Sequence, residues 1–408
     1  MINPEGRFFT AEQIYFGSGE IPGVEAHCNV WDWDQLRLIK VKGTSNVFPS
    51  DGDIEHQVLS QFADYLSPTV RAITVDDDGL LTALSTDPED DDTQFIAYLP
   101  FSLLASLDNC RIADYPTIKF SELQELDRLG AGVDLSLYND QRVAFKFEPF
   151  GKPRRLLMAW NELNLLAHLP PHPNIMPLDR IVLEDIESRV LGFTTKYIPS
   201  GTLADHPEIP LQFEWLKQLT QVVDFLNLEL GVMHQDIAPR NLLIDPDTTK
   251  ILLFDFNWAV YGTASLIEGR DDVSSVVYTL YELITNDTHF SSIPYWDRNV
   301  DELLSSDWVC KRELDSDISI FREFLSEWLE MRKGSIEKYS NAPNQLTWPD
   351  LPNPPDYSVP FELGETDNGE PLYVTGPRTR RTALSKGQYC FRWERPPQNR
   401  SSSGSIEK

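Results

Sequence analysis

The chain has 408 residues, 41% of them hydrophobic, and its 64 acidic against 35 basic side chains give a formal charge of -29. That length suits two ordinary domains plus tails, and that apolar content excludes wholesale disorder. The acidic balance excludes broad nucleic-acid binding, because a phosphate backbone repels such a chain.

In chain order, the opening Met1-Ile2-Asn3-Pro4-Glu5-Gly6 has no basic region followed by an apolar run, so no secretory leader is expected. Residues 35–42 alternate as a strand does. Residues 55–66 read as a helix with Val58, Phe62 and Leu66 on one side. Residues 70–75 and 80–84 flank Asp76-Asp77-Asp78-Gly79 and predict a hairpin. Together these pieces predict a small α+β domain over 1–116, with no chemistry visible in it.

Next comes Leu129-Gly130-Ala131-Gly132-Val133, between two strand-like runs. Two close glycines let a backbone approach phosphates without a clashing Cβ, although such hairpins are common. Residues 141–147 predict a strand that carries Lys146 near its end, where a solvent-facing lysine would also fit. A helix over 154–169 follows, with Leu156, Leu163, Leu166 and Leu169 at helical spacing and Glu162 in its middle. A lone glutamate there is ordinarily solvated. His172-Pro173-Asn174-Ile175 comes next, then a strand over 189–198 and an amphipathic helix over 213–230. The most specific run is His234-Gln235-Asp236-Ile237-Ala238-Pro239-Arg240-Asn241, then Leu242-Leu243-Ile244-Asp245, then Leu253-Phe254-Asp255-Phe256-Asn257. A helix opening at Asp272 and a last one marked by Phe321, Phe324, Leu325, Trp328 and Leu329 complete the pattern.

From 334 to 408 the chain is proline-rich and then basic, and reads as an extended or disordered tail. Solvation explains both the basic stretch of 378–400 and the acidic runs at 76–78 and 87–92; alternatively, the basic stretch docks on an acidic surface of this chain or a partner. Gly-Ser-Ile-Glu-Lys occurs at 334–338 and again at 404–408, without a physical explanation. Cys28, Cys110, Cys310 and Cys390 are far apart, with no pair at metal-ligand or redox spacing. With no run of about 18 apolar residues to span a membrane, a soluble protein of cytoplasm or nucleus is expected.

The pattern H-x-D-x-x-x-x-N, an apolar strand pair and then D-F-x resembles the protein-kinase superfamily. With the preceding motifs the resemblance covers 117–333. It implies an α+β, bilobal protein-kinase-like fold, with a β-rich small lobe and a helical large lobe, behind the small domain of 1–116. It also implies ATP and Mg²⁺ as cofactors. In the family's terms Leu129, Gly130 and Gly132 cover the phosphates, and Lys146, aligned by Glu162, pairs with them. Leu137 and Ala144 above and Leu243 below enclose adenine. Thr195 is the gatekeeper, and Lys196, Tyr197 and Ile198 form the hinge. Asn241 and Asp255 hold the metal. Asp236 accepts the proton of the attacking hydroxyl, with Arg240 in the same loop, and Asp272 hydrogen-bonds that loop's backbone.

Four departures bear on function. Leu135 and Asn257 stand where the family has glycines. Gln235 replaces the arginine that binds an activating phosphate, so control by phosphorylation of the activation segment is not expected. The segment of 255–272 is short and lacks the A-P-E motif, and with it the usual platform for peptides. Three readings therefore stand: a phosphotransferase acting on a hydroxyl of a protein, a small-molecule kinase of the choline or aminoglycoside kinase type, and a pseudokinase that binds or scaffolds. The set also resembles the divergent kinase-like proteins of filamentous fungi. No nucleic-acid or membrane partner is expected.

Overall fold

Strand-forming residues dominate the first half of the chain and amphipathic helices the second. The computed structural model describes residues 4–10, 25–44, 47, 59, 61–93, 98–148, 153–262, 266–352, 359–365, 370–376, 379–385, 387 and 391. It is a mixed α+β structure, β-rich first and helical after.

The first sheet contains β1 (Phe8–Thr10), β2 (Glu25–Asp32), β3 (Arg37–Thr44), β4 (Ala72–Val75) and β5 (Leu81–Ser85), in that spatial order. The β4–β5 hairpin forms where the Asp-Asp-Asp-Gly turn predicts it. Gly79 adopts φ +76°, and Asp76 Oδ1 accepts the N–H groups of Asp78 and Leu80 at 3.1 and 2.8 Å. Ile39, Val41, Ile73 and Val75 form a core on one face with Leu59 and Leu66. Of the helix predicted over 55–66, residues 59 and 61 are helical and Ala63–Tyr65 is a 3-10 turn, whereas 55–58, with Val58, lie outside the described residues.

The second sheet is built from β6 (Thr117–Lys119), β7 (Gln124–Gly130), β8 (Val133–Tyr138), β9 (Gln141–Phe147), β10 (Arg180–Leu183) and β11 (Val190–Lys196), ordered β6-β10-β11-β9-β8-β7. The two sheets share one core. Trp31, Trp33, Leu36 and Leu38 pack with Ile118, Phe145, Phe147, Val182 and Leu191. Arg128 of β7 pairs with Asp34 at 2.6 Å, both side chains being almost wholly buried. The first region is thus fastened to the strand that leads into the glycine turn.

Four longer helices follow: α1 (Pro153–His168), α2 (Phe213–Asp224), α3 (Asp272–Thr285) and α4 (Ile318–Arg332). The chain continues from α2 through a π-helical turn, Phe225–Glu229. The stripe Leu216, Leu219, Val223, Leu226 and Leu230 is buried as its spacing predicts, against Val276, Leu280, Phe321, Leu325 and Trp328. Asp271 caps α3 by accepting the Ser274 N–H, and Asp317 caps α4 by accepting that of Ser319. Two short antiparallel strand pairs lie between α2 and α3: β12 (Val232–Met233) with β15 (Val260–Tyr261), and, as a hairpin between them in the chain, β13 (Leu242–Ile244) with β14 (Ile251–Leu253). Among the described residues no helix is long and apolar enough to cross a membrane.

The C-terminal region differs from the extended or disordered tail expected of it. Tyr339, Ala342 and Trp348 are buried, and the Asn344 and Leu346 N–H groups donate to Glu229 and Leu230 carbonyls at 2.9 and 3.0 Å. Proline content signals an extended backbone, but it does not say whether that backbone has a surface to lie on. A hairpin of β16 (Val359–Glu365) and β17 (Pro371–Gly376) follows. The short helix Arg380–Ser385 docks on the acidic run: Arg380 pairs with Asp91 at 3.3 Å and Arg381 with Glu89 at 3.1 Å. At least this part of the basic stretch meets an acidic surface of its own chain. Residues 392–408, with the second Gly-Ser-Ile-Glu-Lys, lie outside the described residues.

Removing one partner of a buried ion pair leaves the other charge in low dielectric. Asp34→Ala is therefore expected to cost about 3 kcal/mol in thermal or denaturant unfolding, and Asp34→Leu with Arg128→Met to recover most of that loss.

Candidate active site

Lys146 sits in β9 between Val133 of β8 and Phe193 of β11. The β9–β11 approach is close: a Cβ at Gly192 would meet the Lys146 carbonyl oxygen at 2.0 Å, so only glycine fits there. Lys146 Nζ donates to Glu162 Oε1 of α1 at 2.7 Å and also to Asp255 Oδ1. Glu162 Oε1 accepts the Phe256 N–H at 3.0 Å, and the residue is 2% exposed. The solvated-glutamate and solvent-facing-lysine readings both fail on this geometry. The turn after α1 is fixed as well, since buried Asn174 donates to Gln218 Oε1 and to the Ile251 carbonyl at 3.0 and 2.9 Å.

Two carboxylates thus share one ammonium. Burial raises the Glu162 pKa to about 7, the Asp255 charge adding to the rise and Lys146 opposing it. Burial also works to raise Asp255, but Lys146 outweighs it and holds that carboxyl below its ordinary range. Lys146 is held above its own ordinary value, because the two carboxylates overcome its burial.

The loop of 234–241 is built around Asp272, at the start of α3. Its Oδ2 accepts the N–H of His234 at 2.8 Å and the amide of Asn227 at 2.8 Å, and its Oδ1 accepts the N–H of Gln235 at 2.7 Å. Burial pushes the Asp272 carboxyl up, and His234 and these donors pull it back. Asp236 accepts the Asn241 amide at 2.9 Å on Oδ2 and the Arg240 guanidinium at 2.6 Å on Oδ1. The β13–β14 hairpin pairs Leu242 with Leu253, so Asn241 and Asp255 emerge at the same end. The Phe254 N–H donates to the Asn241 carbonyl at 3.2 Å, and Asp255 adopts φ +63°, a left-handed conformation that aspartate tolerates.

A cleft of about 480 Å³ runs from Phe254, Asp255 and Phe256 to the glycine turn, and its lining includes none of residues 234–241. Leu129, Gly130, Ala144 and Leu243 line it, as do Thr195, Lys196, Tyr197 and Ile198. Lys196 is half exposed and pairs with Asp245 and Asp247. Gly132 forms the turn at φ +75° and borders a smaller cavity, of about 140 Å³, behind Lys146 and α1. Leu137 corrects the expectation: it faces Arg142 across the β8–β9 ladder, four residues beyond Val133, about 13 Å along a strand. Val133 lines the cleft instead. The strand begins directly after Gly132, so the position expected of Leu137 falls earlier in the chain.

Among the described residues no group of three or more His, Cys, Asp or Glu forms a metal centre. The donors present fit Mg²⁺, which takes few protein oxygens and keeps water and phosphate for the rest. The Asn241 side-chain nitrogen is spent on the Asp236 carboxylate and carbonyl oxygens, which leaves Oδ1 as the atom that would face such an ion.

Sequence reasoning missed the role of Gln235. Its Nε2 donates to the Trp258 carbonyl at 2.9 Å and its Oε1 accepts the Ile267 N–H at 2.7 Å, so one neutral side chain pins both ends of the short segment. The Arg270 guanidinium stacks 4.0 Å from the Trp258 ring and 4.1 Å from that of Tyr295. The absence of arginine at 235 was visible; the replacement bonds were not.

No protein-family model matches the chain. Among curated proteins, casein kinase II subunit alpha' of Saccharomyces cerevisiae is 26% identical over 152 residues, 35% of this chain and 43% of that protein. Calcium-dependent protein kinase 11 of Arabidopsis thaliana is 25% identical over 208 residues, 48% of this chain and 40% of that protein. The matches thus span about two-fifths of the length of these relatives. They support a relationship to the protein-kinase superfamily.

Glu162 titrates higher in the folded chain than the ordinary 4.5, so the stability it contributes is full below that value and lost as pH rises through about 7. Glu162→Gln lacks this loss. Its thermal midpoint relative to the parent is expected to rise between about pH 5 and pH 8; a difference that falls over that range would contradict the raised value.

Proposed function

We propose that this chain is a phosphotransferase of the protein-kinase type, with a bilobal kinase domain over 117–333, moving the γ-phosphoryl group of ATP to a hydroxyl, on a protein, in the cytoplasm or nucleus. One observation carries the reading: Lys146 is held jointly by Glu162 and Asp255, while Asp236 and Asn241 stand at the neighbouring hairpin end. The kinase relatives add family-level support. The thiols of Cys110 and Cys310 suit a reducing compartment.

Bound ATP with Mg²⁺ supplies the transferable phosphoryl group and neutralises its developing charge. Val133 and Ala144 above and Leu243 below grip the base, and the 196–198 backbone borders it. Lys146, kept in place by Glu162, would pair with the α- and β-phosphates. Asn241 and Asp255 would hold the metal. Asp236 orients the acceptor hydroxyl and takes its proton as the new P–O bond forms and the bond to the leaving phosphate breaks. Arg240 neutralises Asp236 until then and gives the acceptor a positive neighbour. Positioning and charge do most of the work in such transfers, so these few groups suffice.

Two alternatives rest on specific features. Both Asp236 oxygens already have donors, which favours a pseudokinase that binds without transferring. The short segment pinned by Gln235 favours a small-molecule acceptor of the choline or aminoglycoside kind.

Calorimetry with ATP, with and without Mg²⁺, tests the site directly. Binding is expected to need Mg²⁺ and to weaken about tenfold or more in Lys146→Met, the loss of a charge-assisted contact. Asp236→Asn is expected to keep nucleotide affinity and lose phosphotransfer by about 10²–10⁴-fold, the scale of a general base. No nucleotide binding by the folded parent would overturn the enzyme reading in favour of the scaffold.

A further inference from the structure

Resting on the reading above, we propose that residues 339–352 are an intramolecular strap that holds α1 in place, with Trp348 as the positioning residue for the Glu162–Lys146 contact. The strap starts on the helical part of the fold. Arg332 Nη2 donates to Tyr339 Oη at 2.6 Å, and the Asn344 and Leu346 N–H groups bond to the carbonyls of the turn that follows α2. Its fit is close there: a Cβ at Gly231, φ +65°, would meet the Tyr339 carbonyl oxygen at 2.5 Å.

The strap then reaches both elements that must meet at the site. The Trp348 ring packs edge-on against Tyr261 of β15, centroids 4.7 Å apart, in the segment that follows Asp255. Trp348 Nε1 donates to Asn161 Oδ1 of α1 at 3.2 Å. One residue on, the Pro349 carbonyl accepts Trp160 Nε1 at 2.8 Å. Trp160 and Asn161 directly precede Glu162. Asn109 adds a bond to the Thr347 carbonyl at 2.7 Å, and Leu351 closes the cavity behind Lys146 with Trp160 and Leu163. Three successive residues of α1 thus have their partners set, two by the strap and one by Lys146. A tail that merely covered apolar surface would have no reason to give one indole N–H to the turn that carries Glu162 and accept another from it.

Hydrogen exchange on the full chain without nucleotide, followed by mass spectrometry, tests the strap independently of catalysis. In Trp348→Ala the amides of Pro153–His168 are expected to exchange about tenfold faster, a local opening, while α3 and α4 keep their protection. Trp348→Phe, which keeps a ring but loses the donor, is expected to fall between. Should Trp348→Ala not fold, Asn161→Ala removes the same hydrogen bond from the helix side and is expected to loosen α1 alone. Unchanged exchange in α1, or loss spread equally over α3 and α4, overturns the strap. Mg-ATP affinity separates this outcome from the site itself. A parent that fails to bind overturns the phosphotransferase reading and leaves the exchange result to judge the strap. A parent that binds, with Trp348→Ala loosened in α1 yet equal in affinity and turnover, overturns the positioning role.

Discussion

One ammonium between a buried and a half-buried carboxylate sets the geometry of this protein. Lys146, Glu162 and Asp255 come from a strand, a helix and the end of a hairpin, which meet over the core of Leu163, Leu166, Phe193, Leu253 and Phe256. Burial alone would discharge all three groups, and their mutual contact keeps the ammonium charged and Asp255 ionised. Because Glu162 also accepts the Phe256 N–H, α1 and the segment after β14 move as one. The strap over α1, the Gly192 approach and the Asn174 turn all serve to keep this meeting point in register.

Asp272 does for the loop of 234–241 what Lys146 does for the cleft. Its carboxylate gathers three N–H donors in the interior, so the loop's shape is fixed by a helix N-terminus rather than by its own sequence. Thr279, two turns along the same helix, donates to the Ile237 carbonyl at 3.1 Å. A loop held from below in this way presents Asp236 and Asn241 with little freedom, which is the condition for chemistry that depends on position.

Most of the site was legible because its groups lie in motifs whose spacing is set by short-range geometry. The six residues from Asp236 to Asn241 span one turn, and the interval to Asp255 is one hairpin. Helical stripes were legible for the same reason: burial follows period. Leu137 was misplaced because a sequence does not show where a turn ends and a ladder begins, and four residues of register are a large distance on a strand. The tail was misread because proline and charge describe a backbone's own preferences, whereas Trp348 and Arg380 are ordered by surfaces contributed by residues more than eighty positions earlier. Gln235 shows the remaining gap. A substitution that removes a charge is visible, but the two bonds it makes instead depend on where the segment turns back.

Those two bonds have a consequence for how such a protein is governed. A phosphate gripped by arginine is put on by one enzyme and taken off by another, and its hold weakens as salt rises. An amide that donates once and accepts once has no such handle. It is present from the moment the chain folds and is indifferent to ionic strength. Trp258 and Ile267 are therefore tied to one side chain by bonds that need no modifying enzyme to make or break them.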